Sequence, residues 1–536
     1  MTLKQLTQGQ LDIEEALNLL VDPTGTVDLD RLDLEVSQRF RRDFPNMKDL
    51  PPIIPLLLWR NRYYLGSPKP LPEPTVAQLK KRTGCEIDVR PVTDKSYREW
   101  CYKQEIDLSP LNPVRFVRIF KRTDSLKEVS TVAERLLIKT KTPTEQMELI
   151  IGGALSQRAS DVHLEPTPTG LRIRYRIDGI LWDFVKPQPE IGQRLITALK
   201  VKCNMDIAER RVPLDGRFSQ VYETGQNANL KLDLRVSTYP FRYGEKAVIR
   251  LLPEENPFGS VKDLGFTARS LPIYRKWIQE PQGIVIITGP TGSGKTSTLY
   301  TSLQEVAKSD INLVTIEDPI EYTLADINQS QINEAAGMTF DRGLRAMLRQ
   351  DPDIIMVGEI RDGKTAETAM RAALTGHLVF TTLHTNDALS ALPRLKGLGL
   401  DPSLISDALL GITAQRLVRK LCPHCAIPYD PTDDDLNYLG LEREQAQPEK
   451  WRRAQGCRRC YQSGYLGREA LIEVLNLDLR VKRLIREDKI SEIQQHLKTI
   501  EFCSFRVAAI EKIINGVTTV EELRRVIPYS AMTAQA

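Results

Sequence analysis

The stretch Gly289-Pro290-Thr291-Gly292-Ser293-Gly294-Lys295-Thr296 follows the apolar run Ile284–Ile287 and precedes the helix-compatible segment Ser297–Lys308. Its spacing, G-x-x-x-x-G-K-[ST], is that of a phosphate-binding loop between a buried strand and a helix. Glycines let such a loop curl so that its N–H groups point at phosphate oxygens, next to the positive end of the helix. We expect Lys295 to reach the β- and γ-phosphates and the Thr296 hydroxyl to bind Mg²⁺. The sequence therefore predicts that the chain binds a nucleoside triphosphate.

Three more apolar runs follow at intervals long enough for helices: Ile311–Ile316, Asp353–Val357 and Leu378–Leu383. Short, nearly continuous apolar runs are typical of strands that are buried on both faces of a parallel sheet. Upstream, Leu171–Ile177 alternates apolar and basic residues, and Asp178-Gly179 predicts a hairpin to the next strand. We therefore expect a multidomain α/β chain, in which an α+β domain precedes the parallel-sheet domain with the phosphate-binding loop.

Carboxylates stand directly after two of these runs. Glu317, Asp318 and Glu321 follow the first of them, and Glu359 follows the second after Gly358. Ligands of open α/β sheets bind at the carboxyl ends of the strands, so we expect these side chains to support the site. Because Gly358 stands where a Mg²⁺-binding aspartate is usual, Glu359 is the candidate that polarises the attacking water. The alternatives are that Glu317 and Asp318 cap the following turn and that Glu359 is solvated.

Two of the five histidines flank the run Leu378–Leu383: His377 precedes it and His384 follows it. We expect both histidines to belong to the site. The alternative is that each is a hydrogen-bonded residue beside a buried strand.

Four of the eight cysteines form two C-x-x-C pairs, Cys422 with Cys425 and Cys457 with Cys460. Four thiolates at this spacing are typical of a closed tetrahedral Zn²⁺ site, around which a small lobe folds. His424 lies inside the first pair but is surplus to a four-cysteine site. The alternative is a redox-active cysteine pair.

The overall charge gives no indication of nucleic-acid binding, because 74 Lys and Arg against 70 Asp and Glu leave a net charge of +4. The basic residues near the cysteines are interpreted as a solvated face, with a nucleic-acid ribbon as the alternative. No run reaches the roughly 18 apolar residues of a membrane-spanning helix, and the N-terminus lacks the apolar core of a signal peptide. We therefore expect a cytoplasmic protein without a transmembrane segment, and we do not expect nucleic acid as a partner.

Changes in composition and pattern divide the chain into five expected parts. Ser67–Pro74 carries four prolines and predicts a stiff, extended connector inside the first part. The expected parts are an N-terminal docking domain (1–120), an α+β domain (125–255), an ATPase domain (260–420), a four-cysteine metal lobe (421–475) and C-terminal helices (476–536).

Taken together, these motifs resemble those of the secretion ATPases that power type II secretion and type IV pilus assembly. The resemblance is dense from Gly289 to Asp387 and covers about residues 140–475. One departure is Lys364, which stands where the family usually has a glutamate. The other segments that carry the resemblance are Ala159–Pro166, Arg174–Gly179, Arg211–Arg217, Leu344–Asp353 and Thr382–Ala388.

The resemblance implies a homohexameric ring in which ATP lies between a PAS-like α+β domain and a RecA-like ATPase domain. It also implies that arginines of the first domain neutralise the phosphates, and Arg211, Arg217 and Arg235 are the candidates. A charge that arrives on domain closure would stabilise the transition state and couple hydrolysis to movement. The alternative is that these arginines are solvated on a strand face. The four-cysteine element is found in assembly ATPases of the family and is typically missing from retraction motors.

The resulting hypothesis is a Mg²⁺-dependent ATP hydrolase that drives pilin or pseudopilin polymerisation, peripheral on the cytoplasmic face of the inner membrane. ATP, Mg²⁺ and structural Zn²⁺ are the expected cofactors, and an inner-membrane platform protein is the expected partner. Two alternatives stay open: a transport ATPase for DNA uptake or conjugation, and a non-hydrolysing nucleotide-binding regulator of a secretion complex. The sequence does not separate pilus assembly from type II secretion.

Overall fold

The computed structural model of the 536-residue chain describes residues 12–29, 31–44, 51–93, 96–97, 100, 137, 140, 142–187, 189–222, 230–253, 256, 258–500 and 502–533. The described residues fall into two compact units. One unit holds those within 1–121, 140–156 and 219–232, and the other holds those within 122–139, 157–218 and 233–536. The expected start of the α+β domain at residue 125 lies outside the described residues.

A three-stranded sheet is the centre of the first unit. Strand β1 (Ile54–Trp59) pairs antiparallel with β2 (Arg62–Ser67), which pairs parallel with β3 (Glu86–Pro91). Tyr63 and Trp100 are buried in the core of this unit. Its helices are Ile13–Leu20, Leu34–Asp43, Glu73–Thr83 and Pro143–Ser156.

Six strands form the sheet that precedes the phosphate-binding loop: β4 (Ala159–Thr167), β5 (Gly170–Ile177), β6 (Ile180–Val185), β7 (Leu214–Tyr222), β8 (Leu230–Phe241) and β9 (Gly244–Pro253). Their order is β6-β5-β4-β9-β8-β7. Strand β5 alternates buried residues with half-buried ones along its whole length, which confirms the predicted strand. Asp178 and Gly179 have φ angles of 47° and 86° and form the predicted tight turn to β6. One helix, Pro189–Lys202, lies between β6 and β7.

Seven strands form the large sheet of the second unit: β10 (Gly283–Thr288), β11 (Leu313–Glu317), β12 (Asn328–Gln331), β13 (Ile354–Val357), β14 (Leu378–Leu383), β15 (Leu409–Leu421) and β18 (Tyr465–Asn476). Their order is β12-β11-β13-β14-β10-β15-β18, and every pair is parallel except β15 with β18. All residues of β10, β11, β13 and β14 are buried, as expected of strands covered on both faces. The four predicted buried strands are therefore confirmed.

Helices connect the parallel strands, so that the carboxyl ends of these strands meet at one edge of the sheet. The chain is thus of the expected α/β class. The helices of this region are Ser270–Trp277, Lys295–Val306, Phe340–Met347, Gly363–Leu374, Ala391–Gly397 and Pro402–Ala408.

A small lobe lies between β15 and β18. It contains the antiparallel pair β16 (Ile427–Pro428) and β17 (Arg452–Arg453) and the helix Asp433–Leu439. Leu439 and Trp451 of the lobe belong to the same hydrophobic core as the C-terminal helices. Within the described part of the chain, no helix combines the length and apolar character needed to cross a membrane. The C-terminal helices are Leu479–Arg486, Ile490–Thr499, Phe505–Ile514, Val520–Val526 and Tyr529–Thr533.

Candidate functional site

The phosphate-binding loop makes a tight curl between β10 and the helix that follows. Gly289, Gly292 and Gly294 have φ angles of 146°, 78° and 91°, in the region that favours glycine. A side chain at Gly289 would place its Cβ 2.6 Å from both the carbonyl oxygen of Gln415 and Oγ of Ser293. The first position of the loop therefore requires glycine for its conformation and for the space around it.

Lys295 begins the helix after the loop and folds back over the loop backbone. Its Nζ donates hydrogen bonds to the carbonyl oxygens of Gly289, at 2.9 Å, and Pro290, at 3.2 Å. Burial lowers the pKa of Lys295 to about 8, although the Glu359 carboxylate raises it and Arg416 lowers it further. The ammonium group therefore lies over the loop, where phosphate oxygens would replace the carbonyl partners.

Glu359 follows β13 and lines the same cavity as the loop. One of its carboxylate oxygens accepts a hydrogen bond from Arg361, and Oε2 lies 3.5 Å from Nε2 of His384. Arg361 also lies 3.2 Å from Oδ2 of Asp318. Burial, together with the charge of Lys295, lowers the pKa of His384, although Glu359 opposes this shift. The structure thus brings Asp318, Glu359 and His384 together at the carboxyl ends of three neighbouring strands.

Glu317 ends β11 with a buried carboxylate. It accepts hydrogen bonds from Thr315 Oγ1 at 2.6 Å, from Gln329 Nε2 at 3.1 Å and from the hydroxyl of Tyr300. Burial raises the pKa of Glu317, against the opposing effect of these three hydrogen bonds. Because Tyr300 lies on the helix after the loop, the carboxylate ties that helix to β11. The hydrogen bonds of Glu317 among the described residues therefore link the helix to the strand and do not cap the following turn.

Thr296 is the second residue of the helix and lines the cavity. Its hydroxyl makes no hydrogen bond to any residue that the structure describes, so an oxygen ligand is available to a Mg²⁺ ion beside the phosphates. The donor set therefore fits the expected metal, which prefers oxygen ligands from the protein, the phosphates and water.

Arg235 reaches from β8 of the six-stranded sheet to the acidic segment after β11. Its Nη1 lies 2.7 Å from Oε2 of Glu321, and its Nη2 donates to the carbonyl oxygen of Ile320 at 2.6 Å. Arg217 and Arg235 line one cleft of about 510 Å³, to which Pro319 also contributes. Arg235 therefore contacts the acidic segment, and Arg217 shares the cleft but forms no ion pair with a carboxylate of that segment among the described residues.

Four of the side chains predicted for catalysis do not line the cavity above the loop: Arg217 and Arg235, which line the separate cleft, and Arg211 and His377. The side chain of Arg211 is 87% exposed and lies 2.9 Å from a carboxylate oxygen of Glu209. His377 precedes β14, and its Nδ1 lies 2.9 Å from the carbonyl oxygen of Ala372. Because the loop and Glu359 stand at the carboxyl ends of parallel strands, His377 lies at the opposite edge of the sheet. The structure therefore favours the alternative interpretation of His377, a hydrogen-bonded residue beside a strand.

The cavity above the loop has a volume of about 1160 Å³ and contains polar residues that were not among the predicted site residues. Arg416 on β15 is buried, and its Nη2 donates to the carbonyl oxygen of Asn386 at 2.8 Å. Arg176 of β5 also lines this cavity. The sequence carried a signal for it, because the alternation of apolar and basic residues in β5 puts the arginines of that strand on one face. The other contributors from the six-stranded sheet include Asp161, His163 and Arg250.

The four paired cysteines meet in the small lobe. Their Sγ atoms all lie within 4.8 Å of one another, and those of Cys425 and Cys460 are 3.7 Å apart. Thiolates at about 2.3 Å from a tetrahedral ion lie about 3.8 Å from each other, so the geometry fits Zn²⁺. Backbone amides of Cys457 and Gly464 donate to Cys460 Sγ, at 3.1 and 3.2 Å. His424 is exposed and contacts Arg459, and it is not a member of the cluster.

A parallel sheet with this loop at its edge defines a phosphate-loop nucleotide-binding protein. The profile of the family described as "Type II/IV secretion system protein" matches residues 139–525, and the chain belongs to this family. The type II secretion system protein E of Pseudomonas aeruginosa is 44% identical over 378 residues, which are 70% of this chain and 74% of that protein. The type IV pilus assembly ATPase TfpB of Acinetobacter baylyi is 43% identical, over 72% of this chain and 65% of that protein.

A solved structure shares the fold at lower identity. The ATPase DotB of Legionella pneumophila is 21% identical to this chain, with a TM-score of 0.54, and the match covers 74% of this chain and 97% of that protein. At this identity the likeness concerns the fold alone.

Proposed function

We propose that this chain is a Mg²⁺-dependent ATPase motor that drives polymerisation of pilin or pseudopilin in a type IV pilus assembly or type II secretion machine. The observation that carries the proposal is that Lys295, Glu359 and His384 share one cavity with the phosphate-binding loop. The names of the relatives support the biological setting. The identities to the two kinds of relative are 44% and 43%, so both kinds of fibre stay in the proposal.

The proposed reaction is the attack of water on the γ-phosphorus of ATP. The bond from this phosphorus to the oxygen that bridges the β- and γ-phosphates breaks, which gives ADP and phosphate. Glu359 orients the water and accepts its proton, while Lys295 and the loop N–H groups bind phosphate oxygens. When bound, Mg²⁺ supplies positive charge to the β- and γ-phosphates, and Thr296 is the residue that would hold it.

Movement would come from the six-stranded sheet. Arg235 binds Glu321 through a contact of 2.7 Å, and Arg217 lies in the same cleft. A triphosphate competes with carboxylates for arginine, because charged phosphate oxygens form strong bidentate hydrogen bonds. We propose that Arg235 exchanges the acidic segment for the phosphates and that Arg217 joins it there, so that hydrolysis changes the contact between the two sheets.

The proposal extends to the assembly. The six-stranded and seven-stranded sheets would be the PAS-like and RecA-like domains of a homohexameric ring, as the resemblance implies. The ring would act on a platform protein at the cytoplasmic face of the inner membrane, with residues 1–120 as the docking module. The four cysteines would bind a structural Zn²⁺ ion.

The test is the steady-state release of phosphate from ATP by the purified chain. We expect Glu359→Gln to lower kcat by about 10²- to 10⁴-fold, because the water loses its proton acceptor, and to leave ATP binding intact. Glu334→Gln is the matched control, since Glu334 is exposed and lies outside the cavity. Wild-type turnover no faster than that of Glu359→Gln would contradict the proposal and favour a non-hydrolysing regulator. Light scattering in the presence of ATP tests the hexamer separately.

A further inference from the structure

The side chains of Asp161, His163 and Glu165 on β4 lie on the same face of the six-stranded sheet. Successive side chains along a strand point to opposite faces, so every second residue shares a face. The two outer ones are paired. Asp161 Oδ1 accepts from Arg250 Nε at 3.3 Å, and Glu165 Oε1 accepts from Arg174 Nη2 at 2.7 Å. The middle residue, His163, is the exception.

His163 is buried, with 8% of its surface exposed. Neither of its ring nitrogens has a hydrogen-bond partner among the described residues, and its Nδ1 lies 4.0 Å from Oε1 of Glu165. Buried polar groups are nearly always hydrogen-bonded, because an unmade hydrogen bond costs free energy. An unpartnered imidazole in a cavity therefore indicates a missing ligand.

The surroundings of His163 indicate the chemistry of that ligand. Burial, with the charges of Lys246 and Arg176, lowers its pKa, although Asp161 and Glu165 oppose this shift. The ring is therefore neutral at pH 7, with one N–H donor and one acceptor nitrogen.

His163 has an apolar neighbour on β9 and a basic neighbour, Arg174, on β5. His163 pairs across the sheet with Val248, and Val248 and Leu252 line the same cavity as His163 and the phosphate-binding loop. Phosphates require cations or backbone N–H groups, and the loop supplies these. A ring with one donor and one acceptor nitrogen, beside the apolar side chain of Val248, instead matches a nucleobase or a ribose.

We propose that His163 is a binding residue for the nucleoside part of the nucleotide, whose base or ribose hydrogen-bonds to its ring nitrogens. This inference rests on the proposed function, since it requires that the cavity takes ATP. In this proposal the loop holds the phosphates, and His163 with the neighbouring Val248 contacts the nucleoside in the same cavity.

The experiment compares two probes by titration calorimetry with Mg²⁺: ADP, which has a nucleoside, and inorganic tripolyphosphate, which has none. We expect His163→Ala to weaken ADP binding about three- to tenfold, the value of one or two hydrogen bonds, and to leave tripolyphosphate binding unchanged. His163→Asn keeps a donor and an acceptor and should recover part of the loss. His496→Ala is the matched control, because His496 pairs with Asp478 outside the cavity.

The outcomes distinguish a failure of the role proposed for His163 from a failure of the proposed ATPase function. Wild-type protein that binds neither probe contradicts the proposed function. Equal ADP affinity in wild type and His163→Ala, or a parallel loss of both probes, overturns the role of His163. If His163→Ala does not fold, the same comparison is made with His163→Asn. Titrations with 2′-deoxy-ADP, which lacks the ribose 2′-hydroxyl, and with GDP, which has another base, then locate the contact. The analogue that lacks the contacted group should bind more weakly than ADP to wild type and as tightly as ADP to His163→Ala.

Discussion

Glu165 is held by cations from two neighbouring strands. Arg174, Arg172 and Lys246 lie at 2.7, 2.9 and 3.1 Å from its carboxylate oxygens. Burial alone raises the pKa of this group, but the hydrogen bonds from Arg174, Lys246 and Arg172 outweigh it and lower the pKa to about 2. Because the folded-state pKa lies below the ordinary value of 4.5, these contacts stabilise the fold above about pH 4.5 and lose their effect as the pH falls toward 2.

We therefore expect Glu165→Gln to lower the free energy of unfolding at pH 7 by about 1–2 kcal/mol, less than the full linkage value because the cations are partly exposed. The difference from wild type should shrink as the pH falls from 4.5 to 3. Urea unfolding at several pH values measures it, with Glu444→Gln on an exposed carboxylate as the control. If the difference in free energy of unfolding between wild type and Glu165→Gln stays constant down to pH 3, the stabilisation does not depend on the ionisation of Glu165 and the prediction is wrong.

Single residues were predictable from sequence where a motif fixes their place. Lys295 and Glu359 follow recognisable strand and loop patterns. The two C-x-x-C pairs are recognisable from their spacing, which predicts a metal site. Arg416 stands in the mainly apolar strand β15 and His163 in the mixed polar and apolar strand β4, and no local pattern says that they line a cavity. Their place depends on which strands are neighbours, which is a property of the folded sheet order and not of the local sequence.

The phosphate-binding loop is the element whose conformation is most restricted. We expect Gly289→Ala to weaken ATP binding at least about tenfold, because its Cβ would lie 2.6 Å from the Gln415 carbonyl oxygen and from Ser293 Oγ. Gly399→Ala, outside the loop and the cavity, is the matched control: its φ of 89° costs about 1 kcal/mol, but apart from its chain neighbours no atom lies within 4 Å of the added carbon. Calorimetry with ATP and thermal unfolding of both variants make the comparison. Equal affinities of the two would show that the close contact at Gly289 relaxes freely.

Elements were predictable where burial leaves a pattern. The strands β10, β11, β13 and β14 are covered on both faces, so their sequences are nearly continuous apolar runs. Strand β12, Asn328–Gln331, lies at the edge of the sheet and is polar throughout, so it has no such pattern. Strand β12 is recognisable only from its backbone pairing with β11, which its own composition does not predict.

At the scale of the whole molecule, Arg235 connects the two sheets of the second unit. If it moves to the phosphates during turnover, Arg235→Ala should lower kcat about 10²-fold with a smaller change in KM, because the charge acts mainly in the transition state. Arg235→Lys should retain part of the rate, and Arg194→Ala is the control on an exposed arginine of the neighbouring helix. A change in KM alone would assign Arg235 to ground-state binding.

The metal lobe is tied to the rest of the molecule through the core that Leu439 and Trp451 share with the C-terminal helices. We expect one Zn²⁺ per chain in the purified protein and its loss in Cys425→Ser. Without the metal, the unfolding temperature should fall, because the lobe loses the ion around which it folds. Cys203→Ala removes a thiol outside the cluster and should keep the zinc. Full zinc content in Cys425→Ser would contradict the four-cysteine site.

The antiparallel strand β18 is an edge strand of the large sheet and covers the edge of β15, but it is synthesised later than β15. The ribosome finishes β15 at Leu421 and reaches Asn476 roughly 3–11 seconds later, at about 5–20 residues per second. Until then the nascent chain has an open sheet edge, which other chains can pair with. Arg416, Arg419 and Lys420 interrupt the apolar sequence of β15, and such charges oppose aggregation. We therefore expect these three charges to limit such pairing until β18 has been synthesised.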